Sequence, residues 1–304
     1  MLISPPFGGG RAPVLAKNTV ASSQPLATQA GIEALQNGGN AVDAALATAI
    51  TLTVVEPTMN GLGGDGFAIL WDGKQIHGLN ASGRAPAAWT PEYFDGKTAM
   101  DLIGWNTVTV PGMVSGWVEL SKKFGKLPFA QLFKRAIDYA ENGFPVSPVI
   151  ARQWREAIPI LKNQPGFAES FLIDGKAPQA GQIWRFPAQA KTLQELAATQ
   201  GESFYTGALA QSIVDFAQSS GGCFTMRDFA DNKPDWVEPL AFDYGDYTLL
   251  EIPPNGSGIA AQMALGILQA ANVKQYPANS AQRIHLQIEA MRLAFADAYA
   301  YVSD

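Results

Sequence analysis

A chain of 304 residues with 47% hydrophobic content has enough apolar material for a large buried core, and its formal charge of −6 is interspersed rather than gathered in runs. That pattern excludes the basic stripe of a nucleic-acid surface. A single cysteine, Cys223, excludes an internal disulfide framework and fits a reducing compartment. In chain order, residues 1–7 have neither the basic flank nor the continuous apolar stretch of a secretory leader. A helix is expected over residues 25–36, ended by Asn37-Gly38-Gly39, with Asn40 capping a second helix over residues 41–55 and Asp43 at its positive end. This second stretch is the longest apolar run, yet it carries Asp43 and three threonines and is too short to span a bilayer. The expectation is a soluble, cytoplasmic protein that binds neither nucleic acid nor membrane.

Pro57 stops the second helix, and residues 67–71 and 75–79 flank Asp72-Gly73 as a β-hairpin. Pro111-Gly112 opens a helix running to Lys123, with Pro111 in its first turn, and another covers residues 129–141 before Asn142-Gly143. From about residue 150 to 235 the pattern is mainly helical, after which strands return at residues 240–244 and 247–252. Pro253-Pro254-Asn255-Gly256-Ser257-Gly258 then leads into a helix over residues 259–271. The last helix, residues 281–302, places Ile284, Ile288, Met291, Phe295 and Val302 on one face. No repeat or linker divides residues 1–304, which read as one unit of α+β or layered α/β class. The two hairpin strands are too few for a stable sheet alone and need partners, some from another chain; the chain also stops without a closing cap or strand, so the expectation is a polypeptide that continues elsewhere, cleaved or disordered beyond Asp304.

Several motifs have plain readings. Gly61, Gly63 and Gly66 match the spacing of a dinucleotide loop, but that fingerprint needs a strand before it and a helix after it, and here the order is reversed. A glycine turn for close packing is the better reading, with close approach expected at Gly63 and Gly64. The loop at residues 253–258 lacks the Lys-Ser/Thr pair of a phosphate loop, and Ser257 lacks the context of a nucleophile elbow. His285, Glu289 and Arg292 read as a solvated or packing face. Cys223 reads as a small buried residue. His77 and His285, the only histidines, have no ligand-spaced companions, so no metal is expected. Arg84 stands between Gly83 and Ala85-Pro86, just past the hairpin. A cation held rigidly at a sheet end suits bidentate recognition of a substrate carboxylate, with a surface arginine or structural ion pair as the plain alternative.

Together, Gly38-Gly39-Asn40-Ala41-Val42-Asp43-Ala44-Ala45, Asn60-Gly61-Leu62-Gly63-Gly64-Asp65-Gly66-Phe67 and Thr109-Val110-Pro111-Gly112 resemble the large subunit of the γ-glutamyltransferase family. Phe204-Tyr205-Thr206-Gly207, Gly221-Gly222-Cys223-Phe224-Thr225, Ile252-Pro253-Pro254 and residues 289–297 continue the resemblance in family order. It implies a four-layer αββα sandwich of the N-terminal-nucleophile hydrolase type, completed by a second chain. The nucleophile, a threonine freed at the N-terminus of a small subunit cut from the same precursor, uses its own α-amino group as base and needs no cofactor. No catalytic residue is then expected in this chain; its implied partners are that small subunit, a small-molecule amide and, in a dimer of heterodimers, a second such pair.

Family members acting on γ-glutamyl groups resemble one another in Asp-Phe-Arg-Glu-x-Ala-Pro, whose arginine grips the substrate α-carboxylate. Here the matching stretch is Asn80-Ala81-Ser82-Gly83-Arg84-Ala85-Pro86, so Ser82 stands in the arginine's place and Arg84 follows roughly 7 Å later along an extended chain. That form is similar to an acylase-like branch and points to Arg84 and Ser82 as substrate-binding residues for a small carboxylate-bearing amide such as oxamate. The alternatives are a γ-glutamyl hydrolase or transferase, a cephalosporin acylase-like enzyme, or a binding scaffold without chemistry.

Overall fold

The computed structural model describes residues 15–303, so residues 1–7, expected not to form a leader, and Asp304 at the chain end lie outside the described residues. Helix α1 (Pro25–Gln36) starts where the Gln24 side chain accepts from Leu26 N–H, and α2 (Ala41–Val55) starts on the expected Asn40 cap. Asp43 does more than favour the α2 terminus. Fully buried, it accepts from the N–H groups of Asn40, Lys126 and Leu127, and so ties α2 to the turn after α3 (Met113–Phe124). Between these helices run β1 (Gly66–Trp71) and β2 (Ile76–Ala81), an antiparallel hairpin closed by Asp72 Oδ1 accepting from Lys74 and Gln75 N–H.

Helix α3 begins one step later than expected. Gly112 is its cap and Pro111 lies outside the helix, because the backbone at residues 110–112 is engaged in crossing the end of β2. After a 3₁₀ turn at Phe129–Phe133 come α4 (Lys134–Asn142), β3 (Phe144–Pro145), α5 (Pro148–Leu161), α6 (Phe167–Phe171), β4 (Ile183–Trp184), α7 (Pro187–Thr199), α8 (Ser203–Thr206), α9 (Ala208–Ser219) and α10 (Met226–Asp231). The section from 150 to 235 is thus mainly helical, as expected, but contains β4, which pairs with β3 and buries Trp184 against Trp154.

Strand β5 (Asp235–Val237) precedes the expected hairpin of β6 (Leu240–Tyr244) and β7 (Tyr247–Glu251) and adds to β2, giving the order β1-β2-β5. The three strand residues, in a four-residue stretch between Pro234 and Pro239, are too few to display alternation, so only pairing with β2 makes them a strand. Two helices end the chain, α11 (Ile259–Ala270) and α12 (Ala281–Tyr301). The apolar face expected on α12 divides: Ile284, Ile288 and Met291 are exposed, while Phe295 and Val302 pack, partly buried, beside a seam of Ala290, Ala294 and Ala298 against Ala260 and Ala264 of α11. Alanines at this spacing bring the two helix axes close, and Ile284, Ile288 and Met291 are left outside the seam.

The main core lies among α1, α2, α4 and α7, with Phe133, Phe144 and Trp154 fully buried. Helix α3 covers one face of the β1-β2-β5 sheet, where a Cβ on Gly116 would come within 2.7 Å of the Ala81 Cβ. The opposite face carries Phe67, Ile69, Trp71 and Ile76, all exposed among the described residues.

Candidate functional site

The site assembles at the end of β2. Register sets Phe67, Asn80 and Asp235 directly opposite one another across the three strands, so all three side chains leave the same face. Ser82 follows two residues after Asn80, and its polar groups are all engaged. Its N–H donates to Asn80 Oδ1 at 3.0 Å, its carbonyl accepts from Thr109 Oγ1 at 3.5 Å, and its hydroxyl lies 3.0 Å from Asn255 Nδ2 and 3.2 Å from Asn255 Oδ1.

Gly83 comes next at φ +86, a conformation that favours glycine. A Cβ there would lie 1.7 Å from the Val110 carbonyl oxygen, and one on Gly112 would lie 2.3 Å from the Ala81 carbonyl oxygen. Two backbones therefore cross with no room for side chains, and the crossing is pinned on both sides. Val110 N–H donates to the Arg84 carbonyl at 2.9 Å, and Met113 N–H donates to the Gly64 carbonyl at 3.1 Å. Beneath it, the Tyr205 hydroxyl donates to the Pro111 carbonyl at 2.8 Å and accepts from Ser115 N–H at 2.9 Å. Burial pushes the Tyr205 phenol up to about 12. Past Arg84, Ala87 N–H donates to Asp228 Oδ1 at 2.9 Å, fastening the chain to α10. Partial burial opposes ionisation of Asp228, but hydrogen bonds from Ala87 and Thr225 outweigh it and hold the carboxyl below its usual range.

Arg84 thus projects from a backbone fixed at both ends, and its guanidinium Nη2 donates to Asp235 Oδ2. Both side chains remain about half exposed, at 56% and 50%. An ion pair this exposed is worth little, about 0–1 kcal/mol, and it stands at one end of a row. At the other end stands the Phe67 ring, against which a Cβ on Gly256 would rest at 3.5 Å. The structure brings both expected residues, Ser82 and Arg84, to this row. The side-chain hydrogen bonds of the row join Asn80, Ser82, Arg84, Thr109, Asp235 and Asn255, and not Ser257, His285 or Cys223. Glu289 pairs with Arg292 on the exposed side of α12, and Cys223 is half-buried beside Tyr93 rather than fully buried. Close approach holds at Gly64, where a Cβ would meet the Gly61 carbonyl at 3.2 Å, but at Gly63 nothing lies within 4 Å. Among the described residues no group of three or more His, Cys, Asp or Glu could hold a metal ion, and no helix is long and apolar enough to cross a membrane.

Sequence reasoning missed Asp235 and Asn255. Asp235 sat at the edge of a section read as helical, and Asn255 sat in what read as a plain turn; their partners are 151 and 173 residues away. The one available signal was Asn80-x-Ser82, two polar residues on the same side of a strand.

The γ-glutamyltranspeptidase family profile matches residues 27–304. The chain belongs to that family. This γ-glutamyltranspeptidase-family chain is 37% identical over 291 residues to the glutathione hydrolase-like YwrD proenzyme of Bacillus subtilis, covering 95% of this chain and 55% of that protein. It is 37% identical over 287 residues to the oxamate amidohydrolase proenzyme of Klebsiella pneumoniae, covering 92% of this chain and 54% of that protein. Its fold is similar to the crystal structure of cephalosporin acylase from Bacillus halodurans, with a TM-score of 0.86, 43% identity, and coverage of 98% of this chain and 58% of that one. The α+β fold of N-terminal-nucleophile hydrolase type expected from the resemblance is borne out by that likeness. The family member described here spans about half the length of the curated relatives it matches.

Proposed function

We propose that this chain is the large subunit of an autoprocessed amidohydrolase that cleaves the amide of a small carboxylate-bearing substrate such as oxamate. Family membership supports the amide-cleaving class, and relatives described as proenzymes support a precursor that is cut. The observation that carries the substrate class is Arg84, a half-exposed guanidinium on a fixed backbone at the end of a sheet, with Asp235 among its partners. In this reading a partner chain from the same precursor supplies an N-terminal threonine. Its hydroxyl attacks the amide carbon, its α-amino group takes the proton and returns it to the departing ammonia, and water then releases the acyl group. Arg84 holds the substrate carboxylate and Ser82 shapes the turn beside it; the chemistry calls for no metal or organic cofactor. In this reading the protein acts in the cytoplasm as a heterodimer, two of which can pair.

A second reading keeps the chemistry and changes the substrate. Guanidinium and carboxylate side by side match the carboxylate and ammonium of an α-amino acid, the head group of a γ-glutamyl compound. Asp235→Asn separates the two. It should leave KM for oxamate unchanged or lower, because a like charge is removed, but raise KM for a γ-glutamyl amide by about tenfold or more, because an ammonium partner is lost.

Arg84→Ala tests the reading itself. A charge-assisted pair contributes about 1.5–3 kcal/mol. Made in both ground and transition states, its loss should raise KM for an acidic amide by one to two orders of magnitude (~10–100-fold) with kcat little changed. Arg84→Lys should recover only part, since the two-pronged contact is lost. A normal KM with a lowered melting temperature would reduce Arg84 to a structural ion pair and end the proposal.

A further inference from the structure

We infer that Asn255, delivered by the loop at residues 253–258, is a positioning residue that holds Ser82 and thereby sets where Arg84 stands. The inference rests on the reading of Arg84 as the carboxylate site and adds to it a residue from a distant part of the chain. Three residues close a ring: Asn80 Nδ2 donates to Asn255 Oδ1 at 2.9 Å, Asn255 Nδ2 donates to Ser82 Oγ at 3.0 Å, and the Ser82 backbone N–H returns to Asn80 Oδ1 at 3.0 Å. All three residues are partly buried, so a broken link leaves groups with reduced access to water, which costs more than at an open surface.

The loop cannot simply follow Ser82. At its base Ile252 is buried with its Cδ1 only 3.0 Å from where a Cβ on Gly78 would stand, and at its crest Gly256 lies against the Phe67 ring. Asn255 therefore meets Ser82 from a mount fixed on β1 and β2. Only Gly83 separates Ser82 from Arg84, and its backbone lies against the Val110 carbonyl, which fills the place a Cβ would take, with Val110 N–H bonded to the Arg84 carbonyl. A displacement of Ser82 is passed on to Arg84 rather than absorbed between them. If Asn255 did no more than tie its own loop to the sheet, its loss would lower stability and leave substrate affinity alone.

The test is a double-mutant cycle in the processed two-chain protein, with oxamate and its uncharged counterpart oxamide as probes. Asn255→Ala and Ser82→Ala should each raise KM for oxamate by about three- to tenfold with kcat nearly unchanged, the size expected for one or two neutral hydrogen bonds. The double variant should be no worse than the worse single one, and Ser82→Thr, which restores the hydroxyl, should return KM to near its starting value. Oxamide, without a carboxylate, should be indifferent to all of them. Unchanged KM for oxamate in folded Asn255→Ala, additive effects in the double variant, or equal losses on oxamide would overturn the inference. If Asn255→Ala does not fold, Ser82→Ala and Ser82→Thr decide alone: a hydroxyl-dependent KM supports the inference and an indifferent one rejects it. Arg84→Ala in the same series keeps the two ideas apart, since a KM rise there with none at Asn255 sinks only the positioning role, while no rise there removes the carboxylate site and this role with it.

Discussion

Gly83 is the residue on which the site depends most, because two requirements meet in it. Its φ of +86 disfavours any side chain, and the Val110 carbonyl occupies the place a Cβ would take. Gly73 in the hairpin loop has a similar φ of +96 but open space around it. The pair therefore separates conformation from collision. Gly73→Ala should cost about 1 kcal/mol, the left-handed penalty alone. Gly83→Ala should cost at least twice that, ~2 kcal/mol or more, since the crossing must open as well. Urea denaturation of both variants checks the difference; equal costs would mean that the crossing yields easily and that Arg84 is not rigidly mounted.

Among elements, α12 and the Tyr205 brace carry the clearest consequences. The α11–α12 seam is closed by alanines, with Ala294 fully buried. Ala294→Leu inserts volume where none exists and should destabilise by about 1–3 kcal/mol, read as a shift in denaturation midpoint at constant slope. Tyr205 links α8 to the start of α3 through Pro111 and Ser115. Because its folded value lies above the ordinary tyrosine value, the stability it contributes is fully present below about pH 10 and is lost as pH rises towards about 12. In Tyr205→Phe that alkaline loss should shrink, and comparing midpoints of the two proteins at pH 9 and pH 11 checks it.

The elements themselves were largely legible, because helix caps such as Asn40 and turn residues such as Asp72-Gly73 act through neighbours a few positions away. What escaped depended on distant partners. Strand β5 exists only through β2, Pro111 was excluded from α3 by a backbone crossing, and the outward face of α12 was set by which residues let α11 approach. The site divided in the same way. Arg84 and Ser82 could be picked out from their local setting, whereas Asp235 and Asn255 are joined to them only by folding.

At the scale of the whole molecule, the described residues provide one helical layer over a three-stranded sheet whose other face shows Phe67, Ile69, Trp71 and Ile76. A sheet with one apolar face covered and the other open is half of a layered sandwich. That geometry, with relatives about twice as long as the matched region, underlies the proposal that a second chain from the same precursor completes the fold and brings the nucleophile to the row containing Arg84. The most direct measurement is intact-mass analysis of the purified full-length gene product, with N-terminal sequencing of its smaller fragment. The account predicts two chains, the smaller beginning with threonine, and a precursor that stays uncut and inactive on oxamate when that threonine is replaced by alanine. A single uncut polypeptide that hydrolyses amides, or a smaller fragment beginning with a residue that has neither hydroxyl nor thiol, would contradict it.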